Sequence, residues 1–341
     1  MINQWVGEKV LVTGATGLVG SWLVRDLLAK GASVVALVMD FDPQSEFVRS
    51  GDYKKTAIVQ GRVEDYETVE RAINAHEVTT VFHLAAQAIV GVAQRSPLHT
   101  FESNIRGTYN VLEACRVHKA LVKRVVVASS DKAYGASDQL PYVEDQPMLG
   151  RQPYEVSKSC ADLIAQSYFY SYQLPVAIAR CGNIYGGGDL NWSRIIPGTI
   201  RSCLKGESPV IRSDGTFLRD YIYVVDVTSA YVRLAEALED KQIWGQAFNF
   251  SPEKAVRVKE LVSIIQQLMG CQNLIPIVQS QAPGEIHSQY LDSSKAEKLL
   301  GWRPLFNLGE GLEATISWYR NYLDAEVGEA GDVLPLSGVK Q

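Results

Sequence analysis

Three glycines stand at a GxxGxxG spacing in the segment TGATGLVG, residues 13–20. The segment follows an apolar run that predicts a β-strand, and it opens a helical pattern with apolar residues on one face. Here Gly14 permits a tight turn, Gly17 lets backbone N–H groups approach a pyrophosphate, and Gly20 lets the helix lie close to the sheet. Rather than a plain structural turn, the pattern predicts a dinucleotide site at a helix N-terminus. Its residues are Gly14, Thr16, Gly17, Leu18, Val19 and Gly20.

Short apolar runs alternate with helical patterns through the first half of the chain. The β-branched runs at 33–38, 80–83 and 125–128 suit strands that are covered on both faces. Alternating strands and helices with short connections imply right-handed βαβ units. The sequence therefore predicts an α/β fold, a Rossmann doubly wound parallel sheet with a smaller α/β substrate-binding lobe.

The less regular second half sets the expected domain boundaries. We predict that residues 1–180, with about 220–250, form the dinucleotide-binding domain. Residues 181–219 and 251–323 then form the smaller lobe, built from insertions after the later strands. Residues 324–341 show little periodicity and are predicted to be a flexible tail.

Composition excludes several classes of protein. The net charge of −5 carries no basic stripe, so no nucleic-acid partner is expected. The five cysteines are widely spaced and form no CxxC pair, which indicates reduced thiols rather than disulfides or a metal site. No run reaches the roughly 18 apolar residues of a membrane helix, and no signal peptide is evident. We expect a cytoplasmic protein with no metal and no membrane partner.

Two carboxylates follow the second predicted strand, where this fold selects between NAD and NADP. A carboxylate there accepts hydrogen bonds from the ribose hydroxyls, whereas an arginine would hold a 2′-phosphate. Asp40 and Asp42 lie just beyond Val38, with no Arg or Lys beside them. We therefore predict NAD, with Asp40 at the ribose, and the alternative is that both acids only shape the loop.

The fourth predicted strand ends in His83, at the carboxyl edge of the sheet where a dinucleotide lies. Ala85 and Ala86, which follow, are small enough for a cofactor to pass against the backbone. His83 is interpreted as a packed or capping residue rather than a catalyst.

Tyr154 and Lys158 stand at positions i and i+4, on one face of a predicted helix. An ammonium beside a phenol favours the phenolate, so Lys158 is expected to lower the pKa of Tyr154 from about 10. Such a tyrosine can take a hydroxyl proton while hydride leaves to a nicotinamide. Ser130 adds a hydroxyl at the end of the preceding strand. A purely structural tyrosine and lysine is the alternative.

Five motifs together resemble the extended short-chain dehydrogenase/reductases. They are TGATGLVG, HLAAQ at 83–87, NIRGT at 104–108, the strand that ends in serine, and YxxxK. The resemblance covers about residues 8–320 and implies that Asn104 braces the active-site helix while Ser130 hydrogen-bonds the reacting hydroxyl. It also places Leu84, Ala85, Ala86, Gln87 and Asn104 at the cofactor. Helices 101–118 and 154–172 would form a homodimer interface.

The residues after Ser130 indicate which enzymes within this family the chain resembles most. Simple 4-epimerases of the family carry small or hydroxyl residues there, whereas this chain has Asp131 and Lys132. In the resembling nucleotide-sugar 4,6-dehydratases the Asp is the acid that protonates the departing C6 hydroxyl, and the next residue is the base at C5. The segments SSDKAYG, RCGNIYGGGD and LDSSKA most resemble CDP-glucose 4,6-dehydratases. A surface turn is the alternative interpretation of the Asp-Lys pair.

The resemblance also assigns substrate contacts in the smaller lobe. Asn183 and Arg219 would bind the diphosphate, because an arginine fork matches phosphate geometry. The full predicted substrate set is Gln87, Ser130, Asn183, Arg194, Ile211, Arg212, Arg219 and Glu285. The motif RDYIYV at 219–224 departs from the CDP-glucose enzymes, which puts the nucleotide base in doubt.

Three functions therefore stand side by side. The leading one is dehydration of a nucleotide-activated hexose with NAD, with CDP-glucose as the first substrate to test. A 4-epimerase or C4 oxidase on another nucleotide sugar also needs Tyr154 and Lys158, and only the Asp131–Lys132 pair argues against it. An NAD(H)-sensing binding module of the same fold is the third, because fold does not fix function.

Overall fold

The computed structural model of the chain describes residues 4–281 and 285–331. Its strands are β1 Lys9–Thr13, β2 Ser33–Val38, β3 Ala57–Gln60, β4 Thr80–His83, β5 Arg124–Ala128, β6 Val176–Cys181, β7 Asn183–Tyr185, β8 Val210–Ile211, β9 Leu218–Tyr223, β10 Ala247–Phe250, β11 Ala255–Arg257, β12 Ile277–Val278 and β13 Ser288–Gln289. Its α-helices are α1 Leu18–Ala29, α2 Glu46–Arg49, α3 Tyr66–Ala75, α4 Val90–Arg95, α5 Pro97–Phe101, α6 Gly107–Val117, α7 Pro153–Tyr172, α8 Ile195–Leu204, α9 Val224–Ala237, α10 Val258–Met269, α11 Ser294–Leu300 and α12 Leu308–Gly331. Short 3₁₀ turns cover Asp52–Lys55, Asp131–Tyr134 and Lys241–Ile243.

Seven parallel strands form the central sheet in the order β3-β2-β1-β4-β5-β6-β10. The chain runs outward from β1 in one direction and then returns to β4 to continue in the other. The predicted Rossmann doubly wound sheet is confirmed. Its topological switch point lies between β1 and β4, and the carboxyl ends of those strands mark the crevice where ligands bind in this architecture.

The sheet is buried on both faces because its strands are apolar on both. In β1, Val10 and Val12 pack on the side of α1 and α9, while Leu11 packs on the side of α3 and α6. Side chains that alternate in direction along a strand explain this division. The two resulting cores hold the helices that deliver the site residues, so these residues rest on rigid elements.

A smaller sheet begins beyond β6 and forms the predicted second lobe. It has the order β11-β9-β13, and β7 adds to β9. Helices α8, α10 and α12 supply its core through Ile200, Leu261 and Leu312, which are fully buried. None of the described helices is long and apolar enough to cross a lipid bilayer.

Three segments lie differently from their predicted places. Strand β9 belongs to the small sheet, so the lobe extends to Tyr223 rather than to about 219. Helix α11 packs Ala296 and Leu300 into the core beside α9, because its apolar side faces the central sheet layer rather than the lobe. The predicted tail from 324 is helical as far as Gly331, and the rest of that segment lies outside the described residues.

The predicted helix over 101–118 is interrupted. A π-helical turn covers Glu102–Arg106 between α5 and α6. Single π-turns inside helices occur frequently at functional sites, because the extra residue redirects one side chain. Here the turn contains Asn104, which is buried and points to the loop after β4.

Candidate active site

The glycine turn after β1 has the geometry that a dinucleotide cradle needs. Gly14 adopts φ +75°, and a Cβ at this position would lie 2.8 Å from the backbone nitrogen of Ala85. A Cβ on Gly20 would lie 2.0 Å from the carbonyl oxygen of Gly14. Side chains at either position would therefore push α1 or the β4 loop away from the turn. Gly17 is exposed at the N-cap of α1, where no side chain caps the helix.

This arrangement fits NAD. The N–H groups at the start of α1 lack a side-chain acceptor, and the first turn of this helix has no acidic residue. Such a helix end attracts a pyrophosphate through both hydrogen bonds and the helix dipole. Asp40 is exposed just beyond β2, while Asp42 accepts the N–H of Gln44 at 2.9 Å and so shapes the loop. Asp40 thus stays the predicted ribose ligand.

His83 closes β4 as a buried structural residue. Thr13 Oγ1 accepts the N–H groups of Leu84 and Ala85 at 3.1 Å each, so its own hydroxyl proton is directed to His83 Nδ1 at 2.8 Å. The other ring nitrogen then donates to Thr108 Oγ1 at 3.1 Å. Burial, helped by the charge of Lys158, lowers the pKa of His83 to about 3. The ring is neutral at physiological pH and orders the β1 and β4 loops.

Asn104 joins the cofactor loop to the catalytic helix. Its Oδ1 accepts the N–H of Gln87 at 2.7 Å, and its Nδ2 donates to the Gln87 carbonyl at 3.2 Å and to Ser157 Oγ at 2.8 Å. These contacts use the whole amide, which is 1% exposed. Asn104 therefore connects the loop after β4 to α7, and its predicted bracing role stays a prediction. Leu84, Ala85, Ala86 and Gln87 are half-buried along the crevice.

The turn after β5 presents the predicted acid and base. Ser130 caps the 3₁₀ turn by accepting the N–H of Lys132 at 3.2 Å, and its hydroxyl donates to Asp131 Oδ1 at 2.9 Å. Asp131 is 2% exposed, and its Oδ2 has no hydrogen-bond partner among the described residues. The Lys132 ammonium donates to Oε1 of Gln289 on β13. A buried carboxylate oxygen without a partner is costly, so it marks a place where a ligand group fits.

Tyr154 and Lys158 lie in the first turns of α7, whose start is fixed by Pro153 and by a capping box between Gln152 and Glu155. Both side chains are buried. Burial raises the pKa of Tyr154 to about 12, against the opposing effects of a hydrogen bond with Ser130 and of the Arg194 guanidinium. Burial also lowers the pKa of Lys158 to about 8.

The expected depression of the Tyr154 pKa by Lys158 is wrong for this structure. The Lys158 ammonium donates to the carbonyl oxygen of Ala128 at 2.7 Å. Burial of the phenol is the largest influence on the pKa of Tyr154, and it acts in the opposite direction to the predicted one. The helical spacing placed the two groups on one face, but it could not show which acceptor the ammonium takes.

The lobe brings some of its predicted substrate residues toward this site. Asn183 donates to the carbonyl of Asp220 at 3.1 Å, and Arg194 pairs with Asp189 at 3.0 Å. Arg219 is 7% exposed, and its guanidinium donates to the carbonyls of residues 218, 286 and 287 rather than to a carboxylate. An arginine with no acid partner keeps its positive charge available for a phosphate.

Ile211 is not placed to contact a substrate with its side chain. It is fully buried and packs with Val258 and Val262, because β8 lies against α10. Arg212 and Glu285 are exposed, and both stay predictions as substrate ligands.

Two residues of the site escaped the sequence analysis. Asp220 is 1% exposed, Ser251 donates to its Oδ2 at 2.6 Å, and its Oδ1 has no hydrogen-bond partner among the described residues. Burial and the nearby Asp131 raise the pKa of Asp220 to about 7. Gln289 contacts both Asp131 and Lys132 across the lobe boundary. The position of Asp220 next to Arg219 was a usable signal, whereas nothing local marks Gln289.

The glycine cradle and the serine, tyrosine and lysine together define a dinucleotide-dependent enzyme on a Rossmann sheet. The profile of the NAD dependent epimerase/dehydratase family matches residues 10–249. The chain belongs to this family, whose cofactor is NAD, and it is an enzyme of the nucleotide-sugar dehydratase and epimerase class.

Similar proteins include both reaction types. A CDP-glucose 4,6-dehydratase of Salmonella typhimurium is 32% identical over 95% of this chain and 94% of its own length. The structure of a dTDP-glucose 4,6-dehydratase of Streptomyces venezuelae with NAD bound superposes with a TM-score of 0.81, at 27% identity over 92% of this chain and 97% of that one. A UDP-glucose 4-epimerase of Thermotoga maritima gives a TM-score of 0.84, at 28% identity over 92% and 99%.

Substitution of His83 tests its neutral state through the pH dependence of stability. The unfolded ring titrates near 6.5 and the folded ring near 3, so between these values the unfolded state binds one more proton. Stability from this group is fully present above pH 6.5 and falls with acidification by about 1.4 kcal/mol per pH unit. In the variant His83→Gln, the free energy of unfolding measured with urea should depend less steeply on pH between 6.5 and 4.5. The slope should decrease by the contribution of one proton. Exposed His99→Gln is the control, and an unchanged slope in His83→Gln would contradict the neutral ring.

Proposed function

We propose that this protein is a nucleotide-sugar 4,6-dehydratase that converts a nucleotide-activated hexose to its 4-keto-6-deoxy form. The observation that supports the proposal is the Ser130–Asp131–Lys132 turn, in which Ser130 and the buried carboxyl of Asp131 lie near Tyr154 and an amine follows Asp131 directly. When bound, NAD accepts hydride from sugar C4 and later returns it at C6. CDP-glucose is the proposed first substrate, because the Salmonella relative carries that name and spans nearly the whole chain.

Ser130 and Tyr154 handle the C4 hydroxyl. The Ser130 hydroxyl holds the substrate oxygen. Tyr154 first releases its own phenol proton to solvent, and the resulting phenolate takes the proton of the C4 hydroxyl as the alcohol becomes a ketone. Lys158, with a pKa near 8, keeps a positive charge at neutral pH one helical turn from the phenol. Since burial holds the Tyr154 phenol protonated in the free protein, the positive charges of Lys158 and Arg194 are needed to stabilise its phenolate.

Asp131 and Lys132 handle the elimination of water. A C4 ketone acidifies the C5–H bond, and the neutral Lys132 amine removes that proton as base. The protonated carboxyl of Asp131 gives its proton to the C6 oxygen, which leaves as water. The C5–H and C6–O bonds break, and the C5–C6 double bond forms, so the balance closes with one water released. Asp131 Oδ2, which has no hydrogen-bond partner in residues 4–281 and 285–331, is available for the C6 oxygen.

Arg219 and Asn183 are proposed to bind the diphosphate. The Arg219 guanidinium donates to three carbonyl groups, and among the described residues no carboxylate pairs with it. Asn183 lies on β7 and pairs with Tyr221 of β9, two residues after Arg219. Asn183 and Arg219 therefore lie close together in the small sheet. Arg194, Arg212 and Glu285 complete the proposed contacts to the nucleotide.

A 4-epimerase remains the second candidate. The similar UDP-glucose 4-epimerase favours it, since epimerisation also begins with removal of the C4 hydroxyl proton. It needs no acid and base at C5 and C6, however, and therefore gives no role to Asp131 and Lys132.

We also propose a homodimer formed through α6 and α7, in the reduced cytoplasm that five free cysteines suit. On α7, Leu163 is 56% exposed and Tyr170 is 72% exposed, and they lie two turns apart. Tyr109 on the neighbouring α6 is 41% exposed. A row of exposed apolar side chains on adjacent helices is typical of a self-complementary interface.

Sedimentation velocity tests the dimer. The protein should sediment as a dimer at micromolar concentration, and Leu163→Asp should shift it to monomer because a carboxylate cannot be buried there unpaired. Exposed Leu305→Asp, in the smaller lobe, is the control. A dimer that persists unchanged in Leu163→Asp would rule out this interface.

A substrate panel tests the proposed reaction. Purified protein would be incubated separately with CDP-glucose, dTDP-glucose, UDP-glucose and UDP-N-acetylglucosamine, and the products read by mass spectrometry. We expect loss of one water from a single compound, CDP-glucose first. An unchanged mass with a new sugar isomer would instead establish epimerisation, and loss of two hydrogens would establish oxidation alone.

The variant Lys132→Ala separates oxidation from elimination. Dehydration should fall by about 10²–10⁴-fold, the range for loss of a general base. The C4 hydroxyl should still be oxidised, so reduced cofactor should accumulate in a single turnover and be visible by absorbance. Exposed Lys298→Ala on α11 is the control and should match the parent protein. Full turnover in Lys132→Ala would remove Lys132 from the mechanism.

A further inference from the structure

Gln289 bridges the two lobes at the catalytic turn. It ends β13 in the small sheet, and its side chain is fully buried. Its Nε2 donates to the carbonyl oxygen of Asp131 at 3.0 Å, and its Oε1 accepts from the Lys132 ammonium. One amide thus contacts both residues proposed to eliminate water.

The donor and acceptor pattern leaves only one orientation for this amide. A reversed side chain would set its NH₂ group against the ammonium and its oxygen against the Asp131 carbonyl. Both contacts would then be repulsive in the resting ammonium state of Lys132, because an ammonium has only donors and a carbonyl only accepts. The observed orientation satisfies both groups at once, and it fixes the direction from which the Lys132 amine approaches.

Strand β13 cannot shift without disturbing the lobe around it. The Leu218 N–H donates to the His287 carbonyl at 3.0 Å, and the Tyr142 N–H donates to the Tyr290 carbonyl at 3.0 Å. The Leu291 N–H donates to Asp220 Oδ2 at 3.2 Å. Gln289 lies between these anchors, so its amide is presented to Lys132 from a rigid backbone.

We infer that Gln289 is a positioning residue that holds Lys132 in place as the C5 base. Its neutral amide gives Lys132 a hydrogen-bond partner that carries no charge. This inference rests on the proposed dehydration. A neutral amide supplies a hydrogen bond without the added attraction of a carboxylate, which would favour the ammonium over the amine that a base requires. The other ionisable groups of the site are Asp131, Tyr154, Lys158, Arg194, Arg219 and Asp220.

The variant Gln289→Glu replaces the amide with a carboxylate of nearly the same shape. Dehydration at neutral pH should fall by about tenfold or more. An adjacent opposite charge shifts the pKa of an ionisable group by about one unit or more, which here favours the ammonium over the amine. The loss should enter kcat while KM stays within about twofold, and the deficit should shrink as the pH rises. Oxidation at C4, followed as reduced cofactor in a single turnover, should be preserved.

Two further variants show whether a loss of dehydration comes from the altered hydrogen bonds of Gln289 or from impaired folding. Gln289→Met keeps the approximate volume but removes both hydrogen bonds, so kcat for dehydration should fall without a shift of the pH profile. Exposed Gln279→Glu places the same charge elsewhere in the lobe and should behave like the parent protein. In a Lys132→Ala background, Gln289→Glu should add no further loss of dehydration.

The outcomes separate the two proposals. If the parent protein dehydrates no nucleotide sugar, or if Lys132→Ala turns over fully, the proposed function fails and the inference fails with it. If the parent dehydrates and Lys132→Ala stalls, but Gln289→Glu and Gln289→Met match the parent, only the role of Gln289 is overturned. Equal losses of C4 oxidation and dehydration in both Gln289 variants would also overturn it, since they would show a structural role alone.

Discussion

The buried guanidinium of Arg180 connects the sheet, the catalytic helix and the catalytic turn. It lies at the end of β6 and donates two hydrogen bonds to Asp162 on α7, at 2.8 and 3.0 Å. Its third nitrogen donates to the Tyr134 hydroxyl at 2.8 Å and to the Glu144 carbonyl at 3.0 Å. Both members of the ion pair are almost completely buried, so neither can exchange its partner for water. A charge left alone in such a place is strongly unfavourable, and these elements therefore keep one arrangement.

The Arg180–Asp162 ion pair restricts the groups proposed to react because its contacts lie only a few residues from them along the chain. Asp162 lies one helical turn beyond Lys158, and Tyr134 ends the turn that begins with Asp131. The Tyr134 hydroxyl also donates a hydrogen bond to Oδ1 of Asn249 on β10, at 2.7 Å. From the opposite side, Gln289 holds the same turn to the small sheet. The turn is thus fixed between two lobes, which gives Asp131 and Lys132 the rigid support that their proposed roles as acid and base require.

Local patterns in the sequence predicted the central sheet correctly, and they indicated a tight glycine turn and a tyrosine and lysine on one helix face. These features can be read from the sequence because the positive φ of Gly14, the approach of Gly20 to Gly14 and the Tyr154–Lys158 spacing are set within a few residues of the chain. Gln289 and Asp131 are 158 residues apart, and no periodicity links them. Ile211 failed as a substrate residue for a similar reason, because its burial depends on α10, almost fifty residues later. The Lys158 ammonium was misjudged because its acceptor, a backbone carbonyl of β5, carries no sequence signature.

The electrostatics of the site favour an acid next to a base. Asp131 and Asp220 each have one buried oxygen without a hydrogen-bond partner among the described residues, and the charge of Asp131 adds to burial in raising the pKa of Asp220 to about 7. Burial and a neighbouring negative charge both disfavour the ionised form of a carboxyl group, so Asp220 holds its proton to higher pH than an exposed aspartate does. This proton lies close to Asp131, the acid of the proposed dehydration. Departure of a C6 hydroxyl as water needs an acid at the site, whereas simple inversion at C4 does not.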